Sequence, residues 1–450
     1  MGPGSIARHR PALGIAVLCL LAGAMPLEGQ GLRDALSDLF RFGSGDDPLF
    51  LAGSAGLPET EVHGDHFIPD QVEGNGAVLA FFTNALAVNV SSFPLPSTVS
   101  SETFRFVNGV PTPTSNSFGP ITAERAQTVG RGRLNAGVNY SSLAFRRLRG
   151  VNLDDIRLTF IHSNVDFPNC DDVFQGDCTE SGTPQFENDV IDLVVDLDLR
   201  AEVYAFYATF GLTDHIDIGF AIPVVNLELD GLSRASITTS TGSSADHFFG
   251  GTPDNPVLQS ESSVRESATG LGDVAVRLKA RLTDNPAWNI GILGELRVPT
   301  GREEDLLGTG NVNAKGVAIV SGLFDAFSPH ANVGFEYRGG DLDQNELELV
   351  VGFDHLLADW VTVAADLLGA FKIGESMLDF PEPGQIQTPF PRTIPRTNLP
   401  DRRDDILDAA LGFKFRTGGG LVLITNVLVA LNDGGLRSAV TPTFGLEYLF

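Results

Sequence analysis

The chain has 450 residues, among them 50 glycines and 31 phenylalanines, and carries a formal net charge of −27 at pH 7. Such an acidic balance excludes a nucleic-acid-binding role, because phosphates require a basic surface. After the N-terminal 24 residues no uncharged apolar run reaches about 18 residues, so the sequence does not predict a helical membrane protein. The abundance of glycine and phenylalanine is more typical of short strands and aromatic girdles than of helices.

The N-terminus predicts a secretory signal peptide covering residues 1–24. Arg8–Arg10 precede the apolar run PALGIAVLCLLAGAM, which is too short to span a bilayer, and Ala22–Ala24 form a small-residue cleavage pattern. Cleavage is expected near Ala24, with a later cut near Gln30 as the second choice. An N-terminal membrane anchor is the alternative interpretation.

Residues 25–75 are predicted to form a periplasmic or plug segment. The stretch LRDALSDLFRF predicts a short helix near 32–42. HGDHFIPD, at 63–70, contains two histidines and two aspartates, which are residue types that bind divalent metals. It lacks the regular pattern of a helix or strand, so we interpret it as a polar segment and predict neither a metal nor another cofactor.

From residue 76 onward, apolar and polar residues alternate with the period of a β-strand. In VAVRLKARL, for example, valine, leucine and alanine share one face, and Arg277, Lys279 and Arg281 share the other. WNIGILGELRV and VDLDLRAEV repeat this pattern. Strands are predicted near 76–92, 131–145, 151–163, 190–211, 215–229, 263–282, 287–298, 314–325, 330–338, 346–356, 360–373, 403–416, 420–431 and 439–450.

The connections between these strands alternate in length. Short ones such as LTD at 212–214 are followed by generally longer ones such as 230–262. Outer-membrane barrels have short periplasmic turns and long outer loops, whereas a soluble sandwich, which also shows alternating strands, does not require this rhythm. The sequence therefore predicts an all-β fold: a transmembrane antiparallel β-barrel of about 14 strands (12–16) over residues 76–450, located in the outer membrane.

The last ten residues, TPTFGLEYLF, support the same prediction. Phe444, Leu446, Tyr448 and Phe450 form a wholly apolar face that is expected to contact outer-membrane lipid, with the terminal aromatic ring in the interfacial girdle. The pattern resembles the C-terminal assembly signal of outer-membrane barrels. This resemblance implies that the barrel-assembly machinery is a partner during insertion.

Two central stretches, GLGDVAVRLKARL (270–282) and ELRVPTGREEDLLGTGN (295–311), allow a family comparison. They resemble the outer-membrane transporter-like family named for the meta-pathway of phenol degradation. That family shows a GLGD strand opening, a strand ending in PTG and a nearby GxG loop. The resemblance covers roughly Leu199 to Phe450 and implies a barrel related to those that admit hydrophobic compounds. SFGPITAERAQTVGRGRLNAGVNY, at 117–140, matches none of these motifs.

The charged faces of the strands must avoid lipid, since a lysine or arginine at the bilayer midplane costs about 2–4 kcal/mol. They are therefore predicted to line the lumen, either as a polar conduit or as a salt-bridged filling. The row Arg277, Lys279 and Arg281 is a candidate for setting charge preference. The full set of lumen-lining candidates is Asp196, Asp198, Arg200, Glu202, Arg277, Lys279, Arg281, Glu295, Arg297, Glu336, Arg338, Glu348, Asp366 and Lys414.

No catalytic motif is recognisable in the sequence. His162-Ser163 is the only His-Ser pair, it has no acid fixed by a motif, and neither a G-x-S-x-G elbow nor a phosphate loop occurs. We therefore predict that the protein is not an enzyme. The predicted function is a passive channel or transporter for uptake or efflux of small solutes, hydrophobic or aromatic ones included. The alternative is a structural or surface-interaction barrel with a plugged lumen, whose outer loops would be the interaction surface.

Cys170 and Cys178 lie within one predicted outer loop, CDDVFQGDC. Because the cell envelope is oxidising, we predict a disulfide between them. Thiol binding of a metal is the alternative, but no histidine is nearby. Thiol labelling of denatured, unreduced protein should modify neither cysteine, and strong labelling of both would refute the pairing.

Overall fold

The computed structural model describes residues 31–42, 49–51, 69–91, 97–98, 104–107, 110–113, 117–161, 190–238, 249–252, 255–340, 343–378, 380–386, 392–417 and 420–450. Strands dominate these residues. The helices are α1 (Leu32–Asp38) and α2 (Pro69–Ser91), and a 3-10 turn covers Leu153–Asp155. Among the described residues, neither helix combines the length and the apolar character needed to cross a membrane.

The strands, in chain order, are β1 (Arg41–Phe42), β2 (Leu49–Phe50), β3 (Phe104–Val107), β4 (Val110–Pro113), β5 (Leu134–Leu148), β6 (Val151–Asn152), β7 (Ile156–Ile161), β8 (Val190–Gly211), β9 (Ile216–Thr238), β10 (Gly250–Thr252), β11 (Asn255–Val257), β12 (Gln259–Leu271), β13 (Val274–Arg281), β14 (Trp288–Val298), β15 (Asn313–Gly322), β16 (Phe327–Arg338), β17 (Asn345–Ala358), β18 (Val361–Ile373), β19 (Gly384–Ile386), β20 (Arg392–Ile394), β21 (Ile406–Arg416), β22 (Leu421–Ala430), β23 (Leu436–Ser438) and β24 (Val440–Leu449).

Twelve of these strands close into one antiparallel barrel. The ring runs β5, β8, β9, β13, β14, β15, β16, β17, β18, β21, β22 and β24, and β24 pairs back with β5. Phe444 lies opposite Tyr140 at this closure, and Leu446 lies opposite Val138. Closure matters because lipid cannot satisfy the free hydrogen-bonding groups of a sheet edge.

Strands β8 and β9 have 22 and 23 residues, about twice the 9–11 that a tilted strand needs to cross a bilayer. Their outer halves therefore continue beyond the lipid on the side of the long loops. There β8 pairs with β7 instead of β5, and β9 pairs with β12 instead of β13. Strand β7 runs in the same direction as β5, and β12 in the same direction as β13, so these pieces prolong existing positions of the wall.

Twelve strands is at the lower limit of the predicted range, and two predicted strands account for the difference from 14. The strand predicted near 151–163 is largely β7, which extends the position of β5 and adds no member to the ring. The strand predicted near 76–92 is wrong, because this stretch belongs to helix α2. It is apolar on nearly every side, and such a run fits a buried helix as well as a strand. The short helix predicted near 32–42 is present as α1.

The main apolar core lies inside the barrel, at the end of the long loops. Helices α1 and α2 pack there against the inner faces of β5, β7, β8 and β9. Val195, Leu197 and Leu199 point inward and are at most 5% exposed. The C-terminal end of α1 is held by Ser262, whose hydroxyl donates to the carbonyl of Asp38 at 2.8 Å. The helices thus cap the barrel at this end.

The outer surface around the rest of the barrel is apolar, as a lipid-facing surface must be. Large exposed hydrophobic side chains occur on every strand of the ring except β5, including Phe220, Leu278, Ile290, Val320, Val333, Val351, Leu367, Leu411, Val427 and Phe444. The C-terminal stripe belongs to this surface: Leu446 is 45% exposed, and Phe450 is 69% exposed. The side chains of the stripe thus lie on the outer surface of the barrel.

We expect Phe450→Ala to reduce the amount of folded barrel in the outer membrane. The ring of Phe450 packs edge-on against Tyr448 at 4.5 Å, and its backbone exchanges hydrogen bonds with Leu134 at the seam where the barrel closes. Heat-modifiable mobility on gels measures the folded fraction. Phe335→Ala removes a similar exposed ring on β16, on the opposite side of the ring of strands from the seam, and is the control. Equal folded levels of Phe450→Ala and the parent would contradict the prediction.

Candidate functional site

A buried, irregular segment lies inside the barrel. Residues 117–130 form no helix or strand, and all of them are buried except the partly buried Thr122. Buried backbone groups outside regular structure need other hydrogen-bond partners. Inward-pointing side chains of the barrel wall supply several of them, so the wall is built to hold this segment.

Lys414 and Asn332 show how the wall holds the backbone. Lys414, fully buried on β21, donates through Nζ to the carbonyls of Phe118 and Pro120, at 3.2 and 2.6 Å. Asn332, on β16, exchanges two hydrogen bonds with the backbone of Glu124, at 2.7 and 2.9 Å. Polar side chains of the inner wall thus supply hydrogen-bond partners for the backbone of the irregular segment.

Buried ion pairs add a second attachment. Arg125, which is 0% exposed, donates from Nε to Asp354 Oδ1 at 3.2 Å and contacts the other carboxylate oxygen as well. Ser117 donates to the same carboxylate. Nearby, His330 Nε2 lies 2.6 Å from Asp366 Oδ1, and Asp366 also accepts from Thr122. An isolated carboxylate in this interior would be very costly, so the segment is a structural partner of the wall.

A row of charged side chains crosses six adjacent strands at one level of the barrel; we call it the charge belt. Its members lie directly opposite one another in the strand register, and opposite charges in such positions attract. Arg277 Nε donates to Glu295 at 2.7 Å, and Lys372 Nζ lies 2.8 Å from Glu346. In order from β13 to β18, the belt is Arg277, Glu295, Lys315, Glu336, Glu346 and Lys372.

Glu336 and Glu346 are like charges placed directly opposite each other, and the Glu348 carboxylate lies close to both. Three carboxylates at this spacing could hold a metal ion. Here, however, cations already neutralise them: Lys315 is 2.6 Å from Glu348, and Arg338 is 3.2 Å from Glu346. The cluster is therefore explained by its ion pairs and does not require a metal.

A cavity of about 260 Å³ lies inside the barrel, between α2 and the buried segment. One side is polar and includes the charge belt. Most of the apolar lining comes from α2 and from β5, β18, β21, β22 and β23. It includes Phe81, Ala85, Val88, Leu143, Phe145, Leu368, Ala370, Ile406, Leu428, Ala430 and Leu436. The cavity is therefore an amphipathic chamber, which α2 closes on one side and the buried segment closes on another.

The GLGD, PTG and GxG motifs meet at a single carboxylate. Asp273 accepts hydrogen bonds from the backbone N–H groups of Gly301 and Thr309, at 3.1 and 3.0 Å, and from the hydroxyl of Ser91 at the end of α2, at 2.6 Å. A Cβ on Gly308 would lie 2.4 Å from this carboxylate, which explains the glycine. The motifs thus tie the loop after β14 and the capping helix to the barrel wall.

Most of the predicted lumen-lining residues lie on the inner face of the wall. Arg277, Lys279, Glu295, Arg297, Glu336, Arg338, Asp366 and Lys414 are buried or nearly so, and Glu348 lines the cavity. The structure brings Arg277, Glu295, Arg297, Glu336, Arg338 and Glu348 together around the charge belt. Lys279, Asp366 and Lys414 instead contact the buried segment.

Four predicted residues on β8 do not line the interior. Asp196, Asp198, Arg200 and Glu202 alternate with the buried Leu197, Leu199 and Ala201, and so point outward. Arg200 pairs with Asp198 at 2.8 Å on that surface. The prediction assumed that every outward face meets lipid, but the large exposed hydrophobic residues of β8 begin only at Tyr204, so the part of β8 before Tyr204 extends beyond the membrane. There the outer face meets water and the inner face packs on the apolar helices.

The predicted row of Arg277, Lys279 and Arg281 does not form an unopposed line of cations. Lys279 lies 3.4 Å from Glu124 of the buried segment, and Arg277 is paired with Glu295. Arg281 is at the short-turn end of β13 and lies 2.8 Å from Asp284. Partners on the next strand, in the buried segment and in the adjoining turn neutralise the row.

Several site residues were missed by sequence reasoning. Lys315, Glu346 and Lys372 follow the same alternation that identified the other inward charges, so they could have been predicted from it. Arg125 could not have been predicted in this way, because residues 117–130 have no periodicity. His330 could not either, because a single histidine on a strand is an unspecific signal. Cys170, Cys178, His162, Ser163 and residues 63–68 lie outside the described residues.

The charged loop before β21 borders the chamber. Asp404 pairs with Arg149 at 2.7 Å, and the guanidinium of Arg149 lies 4.7 Å from the centre of the Phe81 ring on α2. The neighbouring Asp405 accepts hydrogen bonds from Arg403, which lower the pKa of its carboxyl. This loop thereby adds a second attachment for the capping helix.

The family described as "Putative MetA-pathway of phenol degradation" matches residues 181–364. The predicted resemblance is confirmed there. The matched range contains the GLGD, PTG and GxG motifs as well as most of the charge belt. No curated protein matches the chain in sequence.

The solved structures that the chain matches include the following three. An outer membrane channel from Pseudomonas putida F1 is 10% identical, with 72% of this chain and 98% of that chain covered and a TM-score of 0.39. A FadL homologue from Pseudomonas aeruginosa is 12% identical (71% and 90% covered, TM-score 0.32). The toluene transporter TbuX from Ralstonia pickettii is 11% identical (71% and 89% covered, TM-score 0.26). Values this low do not extend the functions of these proteins to this chain.

We expect Asp273→Asn to destabilise the barrel by about 2–4 kcal/mol, because the amide cannot accept from all four donors that the carboxylate satisfies, the hydroxyl of Thr309 being the fourth. Urea unfolding of the purified protein measures the change in the free energy of unfolding. Asp196→Asn, the same substitution on the outer surface of β8, is the control and should change it little. An equal, small effect of both substitutions would show that Asp273 does not hold the motifs together.

Proposed function

We propose that the protein is a passive outer-membrane channel or transporter, and not an enzyme, for small solutes with a substantial apolar part. The amphipathic chamber inside the barrel supports this proposal most directly. Ligand sites are typically concave and mostly apolar, with a few polar groups that fix orientation. The apolar side of the chamber and the opposing charge belt fit that description.

Passage towards the short-turn end requires the buried segment, residues 117–130, to move. The segment is held by side-chain hydrogen bonds and ion pairs and takes part in no strand pairing of the barrel, so its displacement leaves the barrel closed. The proposed cycle is therefore entry into the chamber, displacement of the segment and release. Because nothing in this cycle consumes energy, the direction follows the solute gradient.

Several features of the setting are part of the same proposal. We propose that residues 1–24 direct export and that the barrel-assembly machinery recognises the C-terminal stripe. The exposed apolar outer surface of the barrel supports outer-membrane lipid as the surrounding medium. A small-molecule solute is then the remaining partner.

One observation favours a second candidate function. The buried segment and the two helices occupy much of the interior, as expected of a plugged structural or surface-interaction barrel. In that case the segment would be a permanent filling. The two candidates differ in whether fixing the segment has any effect on solute entry.

A disulfide can fix the segment. A Cβ on Gly291, on β14, would lie 3.4 Å from Cβ of Ala126, close to the roughly 3.5–4.5 Å found in disulfides. We expect Ala126→Cys/Gly291→Cys, made together with Cys170→Ser and Cys178→Ser, to abolish entry when oxidised and to restore it on reduction. The measurement is the initial rate at which intact cells accumulate radiolabelled benzyl alcohol through their lipopolysaccharide-containing outer membrane.

Two comparisons make the result interpretable. Each single cysteine variant should take up the solute equally with and without a reductant. If cells with the parent protein accumulate no more solute than cells lacking it, the channel proposal fails. If the parent transports and the locked variant transports equally well, the solute does not pass the segment.

A further inference from the structure

We infer that the chamber selects uncharged solutes that carry an oxygen at one end, and that the charge belt excludes both cations and anions. This inference rests on the proposed function and names the class of solute. It depends on three observations: the balance of charges around the chamber, the pairing of those charges, and the Nε–H of Arg338, which is a buried donor without an acceptor among the described residues.

The charges around the chamber sum to zero. Six cations line it, namely Arg277, Arg297, Lys315, Arg338, Lys372 and Arg437. Seven carboxylates line it, namely Glu124, Glu295, Asp343, Glu346, Glu348, Asp404 and Asp408. Three further ions contact these from behind, Arg149, Lys279 and Glu336, which makes eight of each sign. An incoming ion therefore meets no net charge of the opposite sign to compensate its lost hydration.

The charged side chains around the chamber are also paired with one another. Glu295 accepts from Arg277 and Arg297, both at 2.7 Å, and Lys372 lies 2.6 Å from Asp343. A carboxylate or ammonium group could form an ion pair here only by displacing one of these partners. The displaced partner would remain buried and unpaired, which costs more than the new pair returns. Both signs of ion are thus disfavoured for the same reason.

An uncharged oxygen has a place in this arrangement. Arg338 lines the chamber and is 8% exposed, and its Nε–H finds no hydrogen-bond acceptor among the described residues. Its terminal nitrogens are engaged by Asp343 and Glu346. A hydroxyl, ether or carbonyl oxygen can accept from Nε without breaking these pairs, while an apolar body lies against the wall formed by Phe81, Phe145 and their neighbours.

Three ligands of nearly equal size separate charge from shape: benzyl alcohol, benzoate and benzylammonium. Binding to the purified parent protein in nanodiscs can be measured by calorimetry at pH 7, with empty nanodiscs subtracted. We expect benzyl alcohol to bind about tenfold more tightly than either ion. Binding of benzoate or benzylammonium as tight as that of benzyl alcohol would overturn the inference.

Two substitutions alter the charge balance in opposite directions. Glu348→Gln leaves the chamber with one excess positive charge, and Lys372→Gln leaves one excess negative charge. We expect benzoate to gain affinity in the first variant and benzylammonium in the second, each by about fivefold or more. Asp196→Asn changes the net charge of the protein on its outer surface and should change the affinity for neither ion. Equal ion affinities in all these variants would show that the belt does not set selectivity.

Arg338→Lys tests the oxygen site, because it keeps the positive charge and removes Nε–H. We expect it to weaken the binding of benzyl alcohol by about 3–10-fold and to leave the binding of ethylbenzene, which lacks the oxygen, unchanged. Heat-modifiable mobility confirms that each variant is folded. If folded Arg338→Lys binds benzyl alcohol as well as the parent does, the oxygen does not lie at this site.

The failure of this inference differs from failure of the proposed function. If cells with the parent protein show uptake but the chamber binds ions as tightly as neutral ligands, the proposed channel function is supported and the inferred selectivity is wrong. If the parent protein binds none of the three ligands and cells show no uptake, the chamber is not a solute site and both fall.

Discussion

A charge inside a narrow membrane barrel must have a partner, and the interior of this protein is organised around that constraint. Charged side chains cannot face lipid, so the alternation of each strand directs them inward. Inside, burial without a partner would be costlier than any ordinary packing defect. The belt of ions from β13 to β18 satisfies this requirement between strands, and the Arg125–Asp354 pair satisfies it between the wall and the buried segment.

The same requirement explains why irregular chain is stable at this depth. Residues 117–130 have no strand neighbours, yet Lys414 and Asn332 bond to the backbone of the segment. Asp273 plays the corresponding part at the other end of the chamber, where it joins two loop amides and the end of α2. Inward polar side chains therefore replace the backbone partners that a sheet would provide.

Local alternation was sufficient to predict most of the wall. It identified the ring strands and the outward C-terminal stripe, because a membrane strand separates lipid from interior at every second residue. It failed on β8, where Asp196 to Glu202 lie beyond the lipid and the meaning of the two faces is reversed. It also mistook α2 for a strand, since a buried run without a polar face has no distinctive period.

The site was less predictable than the wall, because its key contacts join residues far apart in sequence. Arg125 and Asp354 are 229 residues apart, and neither belongs to a local motif. The GLGD, PTG and GxG motifs were visible as a family resemblance. Their physical role, however, depends on a carboxylate reached from three directions, and only the folded chain shows that convergence. Pairing across strands likewise decided that Arg277 is neutralised, and Glu124 of the buried segment neutralises Lys279.

Glu124 and Arg125 connect the two parts of the interior. Although adjacent in sequence, they reach different parts of the wall: Glu124 lies 3.4 Å from Lys279 and 3.7 Å from Arg277 on β13, whereas Arg125 binds Asp354 on β17. Residues 117–130 contain no other formal charge, so withdrawing the segment removes one charge of each sign and leaves the net charge of the interior unchanged. It would nevertheless leave cations exposed on β13 and carboxylates exposed on β17 and β18. The position of the segment therefore determines both whether the barrel is closed and how charge is distributed across it.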